Sequence, residues 1–312
     1  MADDALLQLG HAYRGQDDNQ RALGAWKLLL EKHADSVWRT EAALQIIDLL
    51  FHADKDYAAC LPYCERLTRE TTDFGSITEA RYAGAYCLNA LGRYDEAGRW
   101  TDRWFTPDSA VEAGWRRLLN AQRDLRQGRA DEAFKSLDAL DVDFPDLDRG
   151  DRLDLTLRAA TMLSRENQTG RARDLLVAAI RNSAGDSEDE ITALLDQLAE
   201  TAVGDRAFHD ALEGLAKDPA LPLIGRIAVR NRQVEGLREE EKSDQAESQL
   251  RDALAKEKAE YARFRVATLL AELLDEDQDD RTEAIKVLNE VLPSMRRNDL
   301  AHQIREDRKS VV

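Results

Sequence analysis

The sequence predicts an all-α solenoid, a stack of antiparallel helix pairs. Apolar residues recur at three- and four-residue spacing almost throughout, with only 6 prolines and 16 glycines in 312 residues. No stretch alternates apolar with polar residues or gathers β-branched ones, so no strand is expected. A small residue followed by large apolar ones returns eight times, at Ala22, Cys60, Ala97, Ala133, Ala172, Ala207, Ala246 and Ala284, at spacings of 35 to 39 residues. A period of about twenty to fifty residues marks a repeat array. The small side chain lets two helix axes approach closely, and the larger ones fill the groove beside it.

Each unit follows from that pattern in order. Unit 3–36 opens with Leu6, Leu9 and Tyr13 on one helix face, turns through "GQDDNQ" (15–20), and returns with Ala22, Trp26 and Leu29. Unit 37–73 places Leu44, Ile47 and Phe51 before the turn "HADKD" (52–56), then Cys60. Unit 76–109 holds "LGRYDEAGRW" (91–100), in which Gly92 stops one helix and Tyr94 opens the next; glycine reaches the left-handed conformation without steric cost. Unit 110–147 repeats this as "GRADEAFKSL" (128–137) and closes on "DFPD" (143–146). Unit 150–185 echoes it more loosely as "GRARDLLVAA" (170–179), and unit 187–220 closes on "DPALP" (218–222), where proline cannot continue a helix. Units 223–258 and 260–293 carry Ala246 and Ala284, the latter after the acidic turn "DEDQDD" (275–280). Residues 294–312, with a weak stripe of Met295, Leu300 and Ile304, are expected to form a capping helix and a frayed tail. Breaks near 184–188 or 218–224 would divide the array in two.

The formal charge of −17 is spread evenly, and charged residues make up 34% of the chain. Nucleic acid and anionic membrane surfaces are therefore poor partners, because both are held by neutralising phosphates with Lys and Arg. No apolar segment is long enough to span a bilayer, so direct membrane insertion is not expected. The start, MADDALLQLG, has neither a basic stretch nor a cleavable apolar run. As written the chain is expected in the cytoplasm, or in the periplasm if a signal has been removed.

Catalytic signals are sparse. His11, His33, His52, His209 and His302 are scattered, with none paired at ligand spacing, and no glycine-rich phosphate loop occurs. Cys60 and Cys64 lie four apart on one helix face, with Cys87 in the next unit. Their expected state is buried and reduced; a metal or redox role would need Cys87 to lie beside the pair. The acidic runs "REEEKSD" (238–244) and "DEDQDD" read as solvated turns, and the second lacks the glycine of a calcium loop. No catalytic residue, metal site or cofactor is expected, and the chain reads as no enzyme.

The first unit, "LLQLGHAYRGQDDNQRALGAW" (6–26), resembles a tetratricopeptide repeat: Leu9-Gly10, Tyr13, Ala22 and Trp26 stand at the family's spacing. The third unit adds Gly-x-Tyr-Asp-Glu-Ala at 92–97, the fourth Gly128, Ala133 and Pro145, and the sixth Ala207 and Pro219. The resemblance implies a right-handed superhelix of about eight degenerate units. It also implies that the first helix of each unit faces a concave groove for an extended peptide or a partner helix. That face would present His11 and Arg14, then Gln45 and His52, then Tyr82, Tyr86 and Asn89, then Gln122 and Arg126, then Thr161 and Arg165. Amides and guanidinium groups there would bond a peptide backbone, while the tyrosines would offer contact area or, alternatively, pack between units.

The expected function is a non-enzymatic scaffold that binds a neutral or basic protein or peptide, by complementarity to the acidic chain. One alternative is an accessory or substrate-binding arm of an enzyme complex. Another is an envelope-assembly protein, because "EKHADSVWRTEAALQ" (31–45) looks like the tetratricopeptide proteins of bacterial envelopes. Homo-oligomerisation through the ends is a third.

Overall fold

The computed structural model describes residues 2–70, 74–106, 109–143, 147–183, 187–201 and 205–294, and among them every regular element is a helix. The chain divides into two compact units, Met1–Met162 and Leu163–Val312. The division thus falls inside a helix rather than at either break expected from the sequence. The proposed capping segment, with Met295, Leu300 and Ile304, lies outside the described residues, as do Pro145 and His302.

Unit 1 runs α1 (Ala2–Arg14), α2 (Asn19–Lys32), α3 (Arg39–Asp48), α4 (Tyr57–Glu70), α5 (Phe74–Ala90), α6 (Tyr94–Trp104), α7 (Ala110–Arg126), α8 (Ala130–Asp138), the short α9 (Leu140–Asp143) and most of α10 (Arg149–Arg165). A π turn, Leu49–Ala53, prolongs α3. The two helices of each pair, α1 with α2, α5 with α6 and α7 with α8, pack side by side, and α3, α5 and α7 also pack on one another in series. Unit 2 runs α11 (Thr169–Arg181), α12 (Glu188–Thr201), α13 (Asp205–Ala216), α14 (Leu223–Glu239), α15 (Ser243–Lys256), α16 (Glu260–Glu276) and α17 (Arg281–Val291). There α12, α14 and α16 form the equivalent series. Within each unit this is the layout of a helical solenoid, in which a helix pair buries its apolar stripe only against the next pair.

The turns explain why the period holds where glycine is missing. Left-handed backbone occurs at Asp17, Lys55, Gly92, Gly128, Asn167, Glu241 and Asp279, in each case five residues before the small residue of the following helix. At Gly92 the turn closes with Arg93 N–H donating to the Leu88 carbonyl at 2.8 Å, and the same five-residue bond recurs from Arg129, Gln168 and Lys242. This satisfies carbonyls that the helix end leaves free. Gly170, which the sequence aligns with Gly92 and Gly128, is off register: it sits inside α11, and Asn167 makes the turn.

The small residues sit at the crossings. Ala22, Cys60, Ala133, Ala172, Ala246 and Ala284 have no exposed surface and Ala97 almost none. Each is the fourth residue of its helix. In α13 that place holds Phe208, and Ala207 is only half-buried. The expectation that Ala207 occupies the sixth crossing is therefore corrected.

Two pairs in unit 1 share a further lock. A side-chain carbon at Gly10 would lie 2.1 Å from the Trp26 indole, and one at Gly84 would lie 2.4 Å from Trp100. Trp26 Nε1 donates to the Leu7 carbonyl at 3.3 Å, and Trp100 Nε1 to the Arg81 carbonyl at 2.9 Å. Each ring thus lies over a bare backbone and is pinned three residues upstream of its glycine.

Candidate functional site

The face expected to line a groove is largely filled. Tyr82, Tyr86, Asn89 and Gln122 are 3%, 1%, 2% and 0% exposed, so they are packed inside the chain rather than presented on a surface. The reason is convergence: the first helices of adjoining pairs approach closely enough for their large side chains to meet. Phe51 and Tyr86 stand 5.0 Å apart between ring centroids, Tyr82 and Trp115 5.9 Å, and Tyr82 and Tyr86 6.2 Å, within the range of favourable aromatic pairs. Asn89 Nδ2 donates to the Leu119 carbonyl at 2.8 Å and to Gln122 Oε1 at 3.3 Å, which ties α5 to α7.

Across the same face Arg158 of α10 reaches Glu79 of α5, donating from Nη2 at 2.9 Å, while its Nε donates to Asp154 at 2.7 Å. Its guanidinium lies 4.8 Å from the Tyr82 ring centroid and 5.2 Å from that of Trp115. Burial pushes the Arg158 pKa down, but Glu79 and Asp154 outweigh it and hold the group above its ordinary value. Glu79 and Arg158 lie two helix pairs apart, so this bond spans the intervening α7. Unit 2 repeats the device: Glu188 of α12 accepts from Asn231 of α14 at 2.9 Å and from Arg265 of α16 at 2.7 Å.

The other expected residues are mostly engaged within the chain. His11 stands edge-on to Trp26 at 5.7 Å, and Arg14 donates to Asn19 at 2.6 Å. Gln45 donates to Glu41 at 2.8 Å. Arg126 is exposed but donates to the Ala90 carbonyl at the end of α5, at 2.8 Å. His52 is exposed with its ring edge-on to Phe51, while Thr161 and Arg165 are half-buried.

Cys60, Cys64 and Cys87 are all fully buried, with Cys60 Sγ and Cys64 Sγ 3.7 Å apart. The hydrogen bond with Cys64 draws the Cys60 thiol below its ordinary pKa, and the same contact together with burial pushes Cys64 up. No group of three or more potential ligands arranged for a metal ion is found among the described residues.

Open space lies in both units: in unit 1 a cavity of about 590 Å³ opens between α4 and α6, beside Glu65, Arg69, Trp100 and Trp104, and in unit 2 cavities lie in a region the sequence did not single out. A cavity of about 350 Å³ is bounded by Phe208, His209 and Leu212 of α13, by Arg232, Gln233, Gly236 and Leu237 of α14, and by Gln249 of α15, with Glu239 and Glu240 at its rim. Phe208, at the place that the other second helices give to a small residue, lies on its wall. Arg232 lies 5.7 Å from the Phe208 ring centroid, and His209 Nε2 is 3.5 Å from Glu240. A second cavity of about 270 Å³ shares Gln233 and Gln249 and continues to Arg230, Lys256 and Glu257. Both lie along α14 and α15. The sequence signal beside the first is the single aromatic at a position otherwise held by small residues.

No family model matches the chain, and no curated protein matches its sequence. Among solved structures it is similar to Naa15/Naa10 bound to HypK-THB, at 14% identity and a TM-score of 0.33, over 98% of this chain and 49% of that one. The chain therefore spans about half the length of that protein. It is similar to the TPR domain of P58(IPK) at 15% identity and a TM-score of 0.29, over 100% and 89% of the two chains. Ton1535 from Thermococcus onnurineus NA1 is similar at 14% identity and a TM-score of 0.31, over 99% and 100%. At these scores, the partners and assemblies of those proteins do not transfer to this chain.

Proposed function

We propose that the chain is a non-enzymatic interaction scaffold that holds a neutral or basic segment of a partner protein. The observation that carries this reading is the α13–α15 cleft: an apolar floor of Phe208, Leu212 and Leu237, amides from Gln233 and Gln249, and a rim of Glu239 and Glu240. Apolar area with a few convergent polar groups is the usual make-up of a binding cleft. The charge of the partner follows from where the arginines go. Arg81, Arg158, Arg238, Arg251 and Arg265 are spent on ion pairs between helices, with Glu112, Glu79, Asp277, Glu283 and Glu188. That leaves a chain of net charge −17 presenting acidic groups outward. A lysine or arginine stem lying on Phe208 with its head at Glu239 matches both features.

A peptide array graded by charge, probed with the full chain, tests this. Peptides with an apolar residue flanked by Lys or Arg should be retained, and raising the salt to about 0.5 M should weaken them. Glu239→Lys with Glu240→Lys should reduce retention while leaving helicity intact. Equal retention of acidic peptides would refute the charge preference; binding indifferent to the double variant would move the site elsewhere.

A further inference from the structure

We infer that Cys60 and Cys87 form a redox pair, which a peroxide converts to a disulfide stapling α4 to α5, with Cys64 positioning the reacting sulfur. The pair lies in unit 1 and stands apart from the α13–α15 cleft.

Three free cysteines meet in one buried place. Cys60 Sγ and Cys64 Sγ are 3.7 Å apart on α4, and Cys87 of α5 is hydrogen-bonded to both. The condition for a redox role, Cys87 beside the pair, is therefore met. Close helix packing alone does not call for this, since a lone alanine fills most of the other crossings. The hydrogen bonds also divide the roles. Those with Cys64 and then Cys87 draw the Cys60 thiol down to about 5 against the cost of burial, with His52 adding to the fall and Asp56 opposing it. Those with Cys60 and Cys87, together with burial, push Cys64 up. Cys60 is the thiolate, and hence the nucleophile, while Cys64 is the thiol that donates to it.

Helix geometry selects the resolving partner. Side chains four apart on a helix hold their Cβ atoms about 5–6 Å from each other, whereas a disulfide needs about 3.5–4.5 Å. Cys60 and Cys64 could join only by unwinding a turn of α4. Cys87 comes from the facing helix and carries no such constraint. The first turn of α4 gives the oxidant its way in. Residues 52–56 before it are exposed, and Pro62 cannot donate to the Ala58 carbonyl one turn back. Local opening there uncovers the sulfur without unfolding the unit.

The Cys60 thiolate attacks one peroxide oxygen; the O–O bond breaks, and hydroxide leaves and takes up the proton that Cys60 gave up. Cys87 then attacks the resulting sulfenic acid at sulfur; the S–O bond breaks, and the oxygen departs as water with the Cys87 proton. Two thiols lose two electrons, and hydrogen peroxide becomes two waters.

Titrating the reduced full chain with hydrogen peroxide, alkylating it after denaturation and mapping its peptides by mass spectrometry tests this. Two of the three thiols should be lost, in a linked peptide pair that carries Cys60 and Cys87 and is released by dithiothreitol. Oxidation should raise the tryptophan-detected denaturation midpoint, because the staple closes a loop of the unfolded chain. Cys87→Ala should stop at a sulfenic acid on Cys60, trapped by dimedone. Cys64→Ala should keep the disulfide but move the pH at which the rate levels off upward by at least about one unit, which a packing role would not do. The peptide map of the parent decides even where a variant loses helicity. Thiols left intact at a peroxide level that oxidises a free cysteine peptide, a linkage of Cys64 to either neighbour, or a linkage formed only in denaturant would overturn the inference.

Discussion

The two units solve the same packing problem with different side chains. In unit 1 rings fill the spaces between helices: Phe51, Tyr57, Tyr82, Tyr86, Phe105 and Trp115 run from pair to pair, and Arg158 closes the face over them. Unit 2 packs mainly with aliphatic residues such as Val234, Leu250, Leu270, Leu274 and Val287, and its few rings include Phe208, which stands where an alanine would fit. Rings and a spanning ion pair leave unit 1 closed along its first-helix face. In unit 2 a cavity lies along α13–α15, with Phe208 on its wall. The contrast teaches that the same helix-pair pattern can be packed by rings or by aliphatic side chains.

Because all five tryptophans lie before Met162, selectively excited tryptophan fluorescence reports on unit 1 alone, and the comparison can be tested unit by unit. The largest effect is expected from Arg158→Ala, which strands Glu79 and Asp154 beside the rings. It should cost about 2–4 kcal/mol, below a fully buried pair because Arg158 retains some exposure, and it should lower the fluorescence-detected denaturation midpoint. An unchanged midpoint would mean the spanning pair is incidental.

Next is a pair of glycines. Gly84→Ala should destabilise unit 1 by about 1–3 kcal/mol, because its methyl group meets Trp100. Gly214→Ala in α13 has open space around it and should stabilise by about 0.5–1 kcal/mol through helix propensity. Chemical denaturation followed by circular dichroism would show opposite shifts; shifts of one sign would contradict the packing contrast.

A smaller difference concerns the turns. Gly92→Ala in unit 1 should cost about 1 kcal/mol, and Glu241→Gly in unit 2 should gain up to about 1 kcal/mol, since both positions have positive φ. Thermal melts distinguish these outcomes.

The smallest effect is electrostatic. Hydrogen bonds from Arg251 and Gln278 depress the pKa of Glu247, and those from Lys286 and Arg251 depress that of Glu283. A depressed folded-state pKa contributes stability above the ordinary carboxylate range, and this is lost as pH falls through the folded value. Acidification below about pH 4.5 should therefore weaken unit 2, and Arg251→Ala should flatten that acid limb. An identical acid limb in the variant would remove the pair from the account.

Part of this was legible in the residues. The spacing of Ala22, Cys60, Ala97, Ala133, Ala172, Ala246 and Ala284 is visible because a close helix crossing admits little else. The turns at Gly92 and Gly128 announced themselves by glycine; those at Asp17, Lys55 and Glu241 did not, because residues of ordinary shape carry the same backbone. Their signal, five residues before the small one, appears only once the helices are aligned. The groove residues were harder to read. Tyr82 and Tyr86 have the composition of a binding face, and only the approach of α3 and α7 makes them core.

By itself the sequence determined an all-helical chain of recurring pairs, since helical periodicity, small crossing residues and turn chemistry are local properties that each segment carries alone. Tertiary structure decided which side chains fill the first-helix face and which arginines pair with which carboxylates. Those outcomes depend on side chains from helices dozens of residues apart meeting or missing one another, and the spacing along the chain does not record that.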